Sequence, residues 1–292
     1  MKFCSNIFFA TILFLACSTA KKGEIPTVEP IVVDEKNFFE NEVRPANNLP
    51  CFAGAYYRKA VSSKDAWVGI KGEVVLPQLN FDEQRKNPVK PGQYLDVSSI
   101  YMGGNMDGQE TDIGLAWEVI RDEAGQVSKE RLAFRPFLRR AAHKSGQQAV
   151  YINAPAQKEF YWYPGDRIFM SIKIVEDGKL QFIVEGAGKK YETIFECAGY
   201  KRGILGDFKR VNAIDQVGNE GKAAQPTKTS ILNAKWLYTT LYRNQGNSVI
   251  EVPMHNGRFT SMLCPSRDYF NIVQTEVDKK MGAENISIIG ER

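Results

Sequence analysis

"RIFMSIKIVEDGKLQFIVEG", residues 167–186, is the stretch that decides the fold of this chain. Its apolar side chains recur at every second position on both sides of a central turn, at Ile168, Met170, Ile172, Ile174, Leu180, Phe182 and Val184. A period of two is typical of a strand with one buried face. Asp177-Gly178, between the two halves, is a favoured hairpin turn. The stretch therefore predicts an antiparallel hairpin.

The rest of the chain from residue 51 onward has the same organisation. Glycine-rich breaks such as "GGNMDG" (103–108) and "VGNEGK" (217–222) separate short apolar runs, and only 275–283 has a helical pattern. Many short strands with glycine turns predict an all-β chain, an antiparallel β-sandwich or jelly roll, over residues 51–292. Further strands are predicted at 94–102, 113–121, 130–139, 148–153, 191–197, 208–214, 230–242, 247–252 and 268–274.

Two stretches resemble strands of the concanavalin-A-like lectin and glucanase domains. They are "YWYPGDRIFMSIKIVEDGKLQFIVEG" (161–186) and "DIGLAWEVIRDEAGQ" (112–126), where a bulky strand precedes a hairpin. The resemblance implies a jelly-roll sandwich whose partner is a polysaccharide or oligosaccharide. We therefore expect a polysaccharide-binding protein, with a glycan-cleaving enzyme on the same fold, either a glycoside hydrolase or a polysaccharide lyase, as the alternative. A third possibility is a cell-envelope scaffold that binds no small ligand.

The first seventeen residues have the pattern of an export signal. Residues 7–16 are apolar apart from Thr11 and would rise about 15 Å as a helix, too short to span a bilayer. The run Phe14-Leu15-Ala16-Cys17 resembles the lipobox of Bacteroidetes-type bacterial lipoproteins. That resemblance implies a signal peptide over 1–16 and lipidation of Cys17. The alternative is ordinary secretion with Cys17 incidental.

A lipid on Cys17 would make this an exported, membrane-anchored protein, facing the periplasm or the cell surface at the outer membrane. Residues 17–50 then form the anchor and a tether, since prolines and acidic residues dominate the segment. The net charge of +4 comes from interleaved signs, which excludes a nucleic-acid-binding patch. Cys51, Cys197 and Cys264 permit at most one internal disulfide, and buried thiols are an equal alternative.

Catalytic chemistry is limited to carboxylates. His143 and His255 are far apart in sequence, without companions at metal-ligand spacing. Glycan hydrolysis needs two carboxyl groups across a cleft. Asp112 and Glu118 are an even number of residues apart, so they share one face of a strand and are the candidate acid and base. The alternative is a pair of exposed surface acids.

A basic stripe is predicted in "RLAFRPFLRR", residues 131–140. On a strand Arg135 and Arg139 fall on one face with Arg131. Guanidinium forks bind carboxylates and sulfates, so an acidic polysaccharide would suit the stripe. The alternative is that these arginines pair with acids on a neighbouring strand.

Aromatic side chains are the second candidate for ligand binding. "FYWYPGD" (160–166) places Tyr161 and Trp162 side by side, and Trp117 lies beside the two candidate carboxylates. Exposed aromatic faces grip sugar rings by stacking, so these three are the candidate stacking residues. The alternative places Trp162 in the core, and each tryptophan alone is more often buried.

Two polar stretches are candidate loops for binding. "GGNMDGQETD" (103–112) offers Asn105, Asp107 and Glu110 as hard oxygen ligands for Ca2+, with a plain polar turn as the alternative. "RVNAIDQVGNEGK" (210–222) places Asn212, Asp215 and Gln216 at a strand end, where binding loops often lie. Its composition alone suggests no mechanism.

Overall fold

The computed structural model describes residues 38–291, so Cys17 and the predicted signal peptide lie outside the described residues. No helix within this range is long and apolar enough to cross a membrane. Residues 38–291 form one α-helix, α1 (Glu276–Met281), and sixteen strands: β1 Ala55–Ser62, β2 Trp67–Val75, β3 Gln78–Asn80, β4 Asp96–Met106, β5 Gln109–Val119, β6 Leu132–Arg140, β7 Val150–Asn153, β8 Arg167–Glu176, β9 Lys179–Gly186, β10 Lys189–Glu196, β11 Gly206–Gln216, β12 Ser230–Gln245, β13 Ser248–Pro253, β14 Phe259–Cys264, β15 Phe270–Val273 and β16 Glu284–Ile289.

The strands form two antiparallel sheets packed face to face. The first has seven strands in the order β14-β1-β11-β4-β5-β6-β7. The second has nine, with β10-β9-β8-β2-β12-β16-β15 in line and β3 and β13 paired to β12. The main apolar core lies between them and includes Trp67, Phe134, Trp162 and Phe208, all fully buried. The predicted all-β antiparallel sandwich is therefore confirmed.

The hairpin predicted over 167–186 is confirmed as β8 and β9. Ile172 is paired with Phe182, and Gly178 occupies the turn with a φ of 82° that favours glycine. The seven alternating apolar side chains are all buried, each with at most 1% of its surface exposed. This hairpin supplies one of the walls of the core because every second side chain points the same way.

Several strands were not singled out from the sequence, among them β1, β2, β14 and β16. In β1 the alternation is broken because Arg58 points inward, where it is 3% exposed. In β2 no side chain fits at Gly69 or Gly72. A β-carbon would lie 2.3 Å from Ile172 O at Gly69 and 2.8 Å from Tyr238 O at Gly72. An inward-pointing charge in β1 and the missing side chain of the inward Gly72 in β2 thus hide these strands from a search for apolar periodicity.

A buried charge cluster joins the two sheets. Glu284 on β16 lies between Arg58 on β1, at 3.1 Å, and Arg210 on β11, to which it is also bonded. Arg210 donates further hydrogen bonds to Thr239 Oγ1 at 2.7 Å and to Gly282 O at 2.6 Å. Burial alone would raise the pKa of Glu284, but the two guanidiniums outweigh it and the pKa is lowered.

We predict that Glu284→Gln lowers the free energy of unfolding by about 3 kcal/mol or more, because it leaves two buried guanidiniums without an anion. Urea denaturation at neutral pH measures the change. Since the pKa of Glu284 is lowered, the loss is present above the ordinary carboxyl pKa and shrinks as the pH falls below it. Glu192→Gln, in an exposed pair with Lys190, is the control and should change stability little. Equal effects of both variants would contradict this account.

The segment before β1 packs on the body earlier than the predicted boundary at residue 51. Glu42 is buried and pairs with Arg258 at 2.7 Å, and Val43 forms an isolated β-bridge with Lys64. Cys51 is disulfide-bonded to Cys264 at the end of β14. Residues 38–50 are therefore part of the folded body, although the sequence predicted a tether there.

Cys197 is a free, buried thiol. Burial raises its pKa to about 12, which keeps it protonated and unreactive at neutral pH.

Candidate functional site

A cleft crosses the outward face of the seven-stranded sheet. It consists of two adjoining cavities, one of about 640 Å³ beside Glu118 and Arg135 and one of about 360 Å³ beside Asp215 and Arg139. Both volumes lie in the usual range for ligand sites. The cavities share the lining residues Val97, Ala116, Tyr151 and Val217. We call these two cavities together the cleft.

Small residues make the floor of the cleft low. Ala116 on β5 and Ala213 on β11 face outward, and Gly114 lies between Tyr101 and Phe137 in the register of the sheet. A β-carbon on Gly114 would lie 2.4 Å from the Tyr101 Cα, so no larger residue fits there without moving β4. Close approach of the backbones here gives the sheet its hollow face.

The predicted arginine stripe lies along the cleft, but its charges are paired. Arg135 binds Glu118 at 2.5 Å, and Arg139 binds Asp112 at 2.6 Å. Each acid is on β5, next to the strand that carries the arginines. Arg131 ends the short 3-10 turn before β6 instead of extending the stripe. The structure thus has the alternative arrangement, in which the arginines pair with acids on a neighbouring strand.

The two candidate carboxylates differ in their electrostatics. Asp112 also binds Lys209 at 2.6 Å; burial would raise its pKa, but Lys209 and Arg139 outweigh burial and the pKa is lowered. Asp112 therefore stays ionised and is unsuited to the role of general acid. Burial raises the pKa of Glu118, and Arg135 offsets that only in part.

Asp215 is the most perturbed carboxyl group that lines the cleft. It is half-buried near the end of β11 and accepts a hydrogen bond from Ser99 Oγ at 2.5 Å. Among residues 38–291 no cation pairs with it. Burial raises its pKa to about 6, and the charges of Asp112 and Glu220 add to the shift. A carboxyl group that exchanges its proton near neutral pH is a candidate general acid.

We predict that Asp215→Asn stabilises the protein at pH 7.5, by up to roughly 3 kcal/mol, since each pKa unit corresponds to about 1.4 kcal/mol. The folded-state pKa is raised from 3.8 to about 6, so the cost of the buried charge is full above that value. The gain should shrink as the pH falls from 6 towards 4. Urea denaturation across this range measures it.

Asp112→Asn provides the comparison with opposite sign. It should destabilise the protein at pH 7.5, because Lys209 and Arg139 lose their shared anion. An Asp215→Asn variant that is no more stable than the wild type at pH 7.5 would contradict the raised pKa.

Tyr151 is the exposed aromatic ring of the cleft. It lies on β7 with 56% of its surface exposed, and its ring stacks on Phe137 with centroids 5.8 Å apart and an interplanar angle of 15°. Burial of its hydroxyl end raises the pKa of Tyr151 to about 12, with further contributions from the charges of Glu118 and Asp215. The ring therefore lies between the two titratable carboxyl groups, at the junction of the two cavities.

The aromatic residues predicted from the sequence lie elsewhere. Trp162 is fully buried and donates its indole N–H to Gly186 O at 3.0 Å, and Tyr161 is 1% exposed. The predicted exposure of both rings is wrong, because one faces the main core and the other a small cluster with Ile120. Trp117 is half-buried, and it lines the Glu118 end of the cleft. It keeps a place in the candidate site.

The predicted calcium loop is a hairpin turn between β4 and β5. Asp107 and Gly108 form the turn with positive φ angles of 49° and 77°. Asp107 binds Lys144 at 2.5 Å and His143 at 3.2 Å, and Glu110 binds Lys209 at 2.5 Å. Asn105 is exposed. Within residues 38–291 no group of three or more His, Cys, Asp or Glu side chains is placed to hold a metal ion.

Sequence reasoning found part of the site and missed part. Asp215 was noted as polar, at a strand end, without a role; its neighbours Asn212 and Gln216 turn inward, where Asn212 accepts from the Trp236 indole N–H at 2.8 Å. Tyr151 was missed, although it lies in a predicted strand. The one signal in the sequence is that Tyr151 and the polar Asn153 are two residues apart, which places both on the same face of the strand.

Comparison with known proteins adds little to this picture. No model of a known protein family matches the chain, and no curated protein matches it in sequence. Among solved structures it is similar to scytalido-glutamic peptidase bound to a transition-state analog inhibitor, with 10% identity, coverage of 80% of this chain and 98% of that one, and a TM-score of 0.47.

Two further solved structures are less similar. SCP-B, a member of the Eqolisin family of peptidases, has 9% identity, the same two coverages of 80% and 98%, and a TM-score of 0.41. A β-porphyranase from the human gut bacterium Bacteroides plebeius has 10% identity over 58% of this chain and 65% of that one, with a TM-score of 0.20. Such distant likenesses carry no argument about activity.

Proposed function

We propose that the cleft binds a glycan chain. The observation that carries the proposal is the exposed ring of Tyr151, which rests on Phe137 at the junction of the two cavities. A ring fixed in this way offers a flat apolar surface without further loss of side-chain freedom on binding. Sugar rings present an apolar face of C–H groups that fits such a surface.

The charged groups along the cleft suit the hydroxyl groups of a sugar. The pairs Arg135–Glu118 and Arg139–Asp112 place donors and acceptors next to each other on one face of the sheet. Each hydroxyl of a sugar can both donate and accept a hydrogen bond. An arginine–carboxylate pair can therefore donate to one hydroxyl and accept from its neighbour. Ion pairing also holds these side chains in place before the ligand arrives.

A neutral glycan fits the cleft better than the acidic one expected from the arginine stripe. Four basic and five acidic side chains line the two cavities, so their charges nearly cancel. Arg135 and Arg139 are already neutralised by Glu118 and Asp112. An anionic polymer would have to compete with these acids for the two guanidiniums.

We predict that Tyr151→Ala weakens binding of a neutral polysaccharide by about tenfold, equivalent to about 1.4 kcal/mol. Affinity gel electrophoresis with laminarin, xylan, mannan and agarose, and with alginate as the acidic comparison, measures the retardation. Tyr238→Ala, a half-buried tyrosine on β12 of the other sheet, is the matched control and should bind like the wild type. Equal binding by Tyr151→Ala and wild type would exclude the cleft as the binding site.

We further propose that Cys17 carries a lipid that holds the cleft at a membrane surface outside the cytoplasm. The short apolar segment and the lipobox-like Phe14-Leu15-Ala16-Cys17 support this. Several acyl chains hold a protein far better than one, since each buried methylene contributes about 0.8 kcal/mol.

We predict that Cys17→Ala moves the protein from the membrane fraction to the soluble fraction of a bacterial host. Mass spectrometry of the mature wild-type N-terminus should find acyl chains on Cys17. Cys4→Ser, inside the predicted signal peptide, is the control and should leave the membrane association unchanged. Recovery of Cys17→Ala in the membrane fraction would contradict the anchor.

A further inference from the structure

We propose that the cleft hydrolyses the glycan it binds, with Asp215 as the general acid and Glu118 as the general base. This inference rests on the proposed function, because it needs a glycan in the cleft. The pair Asp215 and Glu118 replaces the pair Asp112 and Glu118 predicted from the sequence. Asp112 lies between Lys209 and Arg139, which keep it ionised, so it cannot donate a proton as a general acid.

The two carboxyl groups stand on opposite sides of the cleft. Asp215 is on β11 and Glu118 on β5, with β4 between them. Two strand spacings place their Cα atoms roughly 10 Å apart. Arg135 lies on β6, on the far side of β5, so its bond of 2.5 Å draws the Glu118 carboxylate away from Asp215. The two carboxyl groups thus stand apart across Val97 of β4, which is paired with Asp215 and lines both cavities. We infer that a sugar unit lies over Val97, with a water molecule on the Glu118 side.

The partners of each carboxyl group fit the assigned roles. Asp215 has a neutral partner, Ser99, and no cation among the described residues, so burial favours its protonated form. Glu118 has a cationic partner in Arg135, which favours its ionised form. A proton on one side and a negative charge on the other is the arrangement that an acid and a base need at the start of the reaction.

Two tyrosines place the substrate between them. Tyr151 lines both the cavity of Glu118 and the cavity of Asp215, so a sugar stacked on this ring lies between the two carboxyl groups. Tyr101 is 9% exposed and lines the same cavity as Asp215, so it adds a second aromatic side chain to this end of the cleft.

The step consumes one water molecule. The Asp215 carboxyl group gives its proton to the glycosidic oxygen as the bond from that oxygen to the anomeric carbon breaks. The Glu118 carboxylate takes a proton from the water whose oxygen forms the new bond to that carbon. Glu118 then releases its proton to solvent and Asp215 takes one up, which restores the starting state.

The spacing also predicts the stereochemistry. A separation that leaves room for water between the acid and the base is typical of inverting hydrolysis. The first product should therefore have the anomeric configuration opposite to that of the bond that was cleaved. Proton NMR of the products, recorded before mutarotation, reports this directly.

The test measures release of reducing ends from laminarin, xylan, mannan and agarose by the purified protein between pH 4 and 8. The rate should fall as the pH rises above about 6, where Asp215 loses its proton. Asp215→Asn and Glu118→Gln should each lower the rate about 100-fold or more. Glu251→Gln, in an exposed pair with Lys71 on the other sheet, should leave the rate unchanged.

The outcomes separate the two proposals. Binding that depends on Tyr151, with no reducing ends released at any pH, overturns hydrolysis and leaves the binding function in place. Neither binding nor release overturns both. Loss of activity in Asp215→Asn is not a folding defect if that variant is at least as stable as the wild type. Peptides released from denatured casein, with no glycan cleaved, would overturn the glycan as substrate.

Discussion

The ion cluster of Glu284 with Arg58 and Arg210 is the constraint on which the cleft depends. It fixes which way the side chains of β1 and β11 point, since a one-residue slip would carry both guanidiniums to the outer face. The intervening positions then face outward, among them Tyr57, Val211 and Ala213, and on β11 also Asp215, which lines the cleft. A purely apolar contact would tolerate small shifts, whereas a carboxylate shared by two guanidiniums accepts one register only.

Two carboxylates on the same sheet show how the fold treats charge. Asp112 has two cations and contributes to stability, whereas Asp215 has a hydroxyl partner and is held at a cost. A protein under selection for stability alone would place an asparagine or a lysine partner at such a position. The uncompensated acid next to an exposed aromatic ring is the feature on which the proposed ligand site at this end of the cleft rests.

Local pattern predicted the sandwich and the arginine face, because both depend on an alternation that can be counted along one strand. The hairpin 167–186 is the clearest case. The identity of the ion pairs depends on the register between β5 and β6, which are separated by the twelve residues 120–131 and whose register no local pattern encodes. The wrong prediction for Trp162 and Tyr161 has a related cause. Neighbours on a strand point to opposite sides, so one of the two was expected to be exposed. Both are buried because a second small cluster covers Tyr161 on the side opposite the main core.

The leading segment is fastened to one edge strand at two points. The Glu42–Arg258 pair holds it just before β14 and the Cys51–Cys264 bridge holds it at the end of that strand. Mechanical tension applied upstream of residue 42 would thus be carried first by this pair and then by a covalent bond. From β14 the load would pass to β1 through the hydrogen-bonded ladder that the two strands share, in shear, and the sheet would resist being peeled open strand by strand.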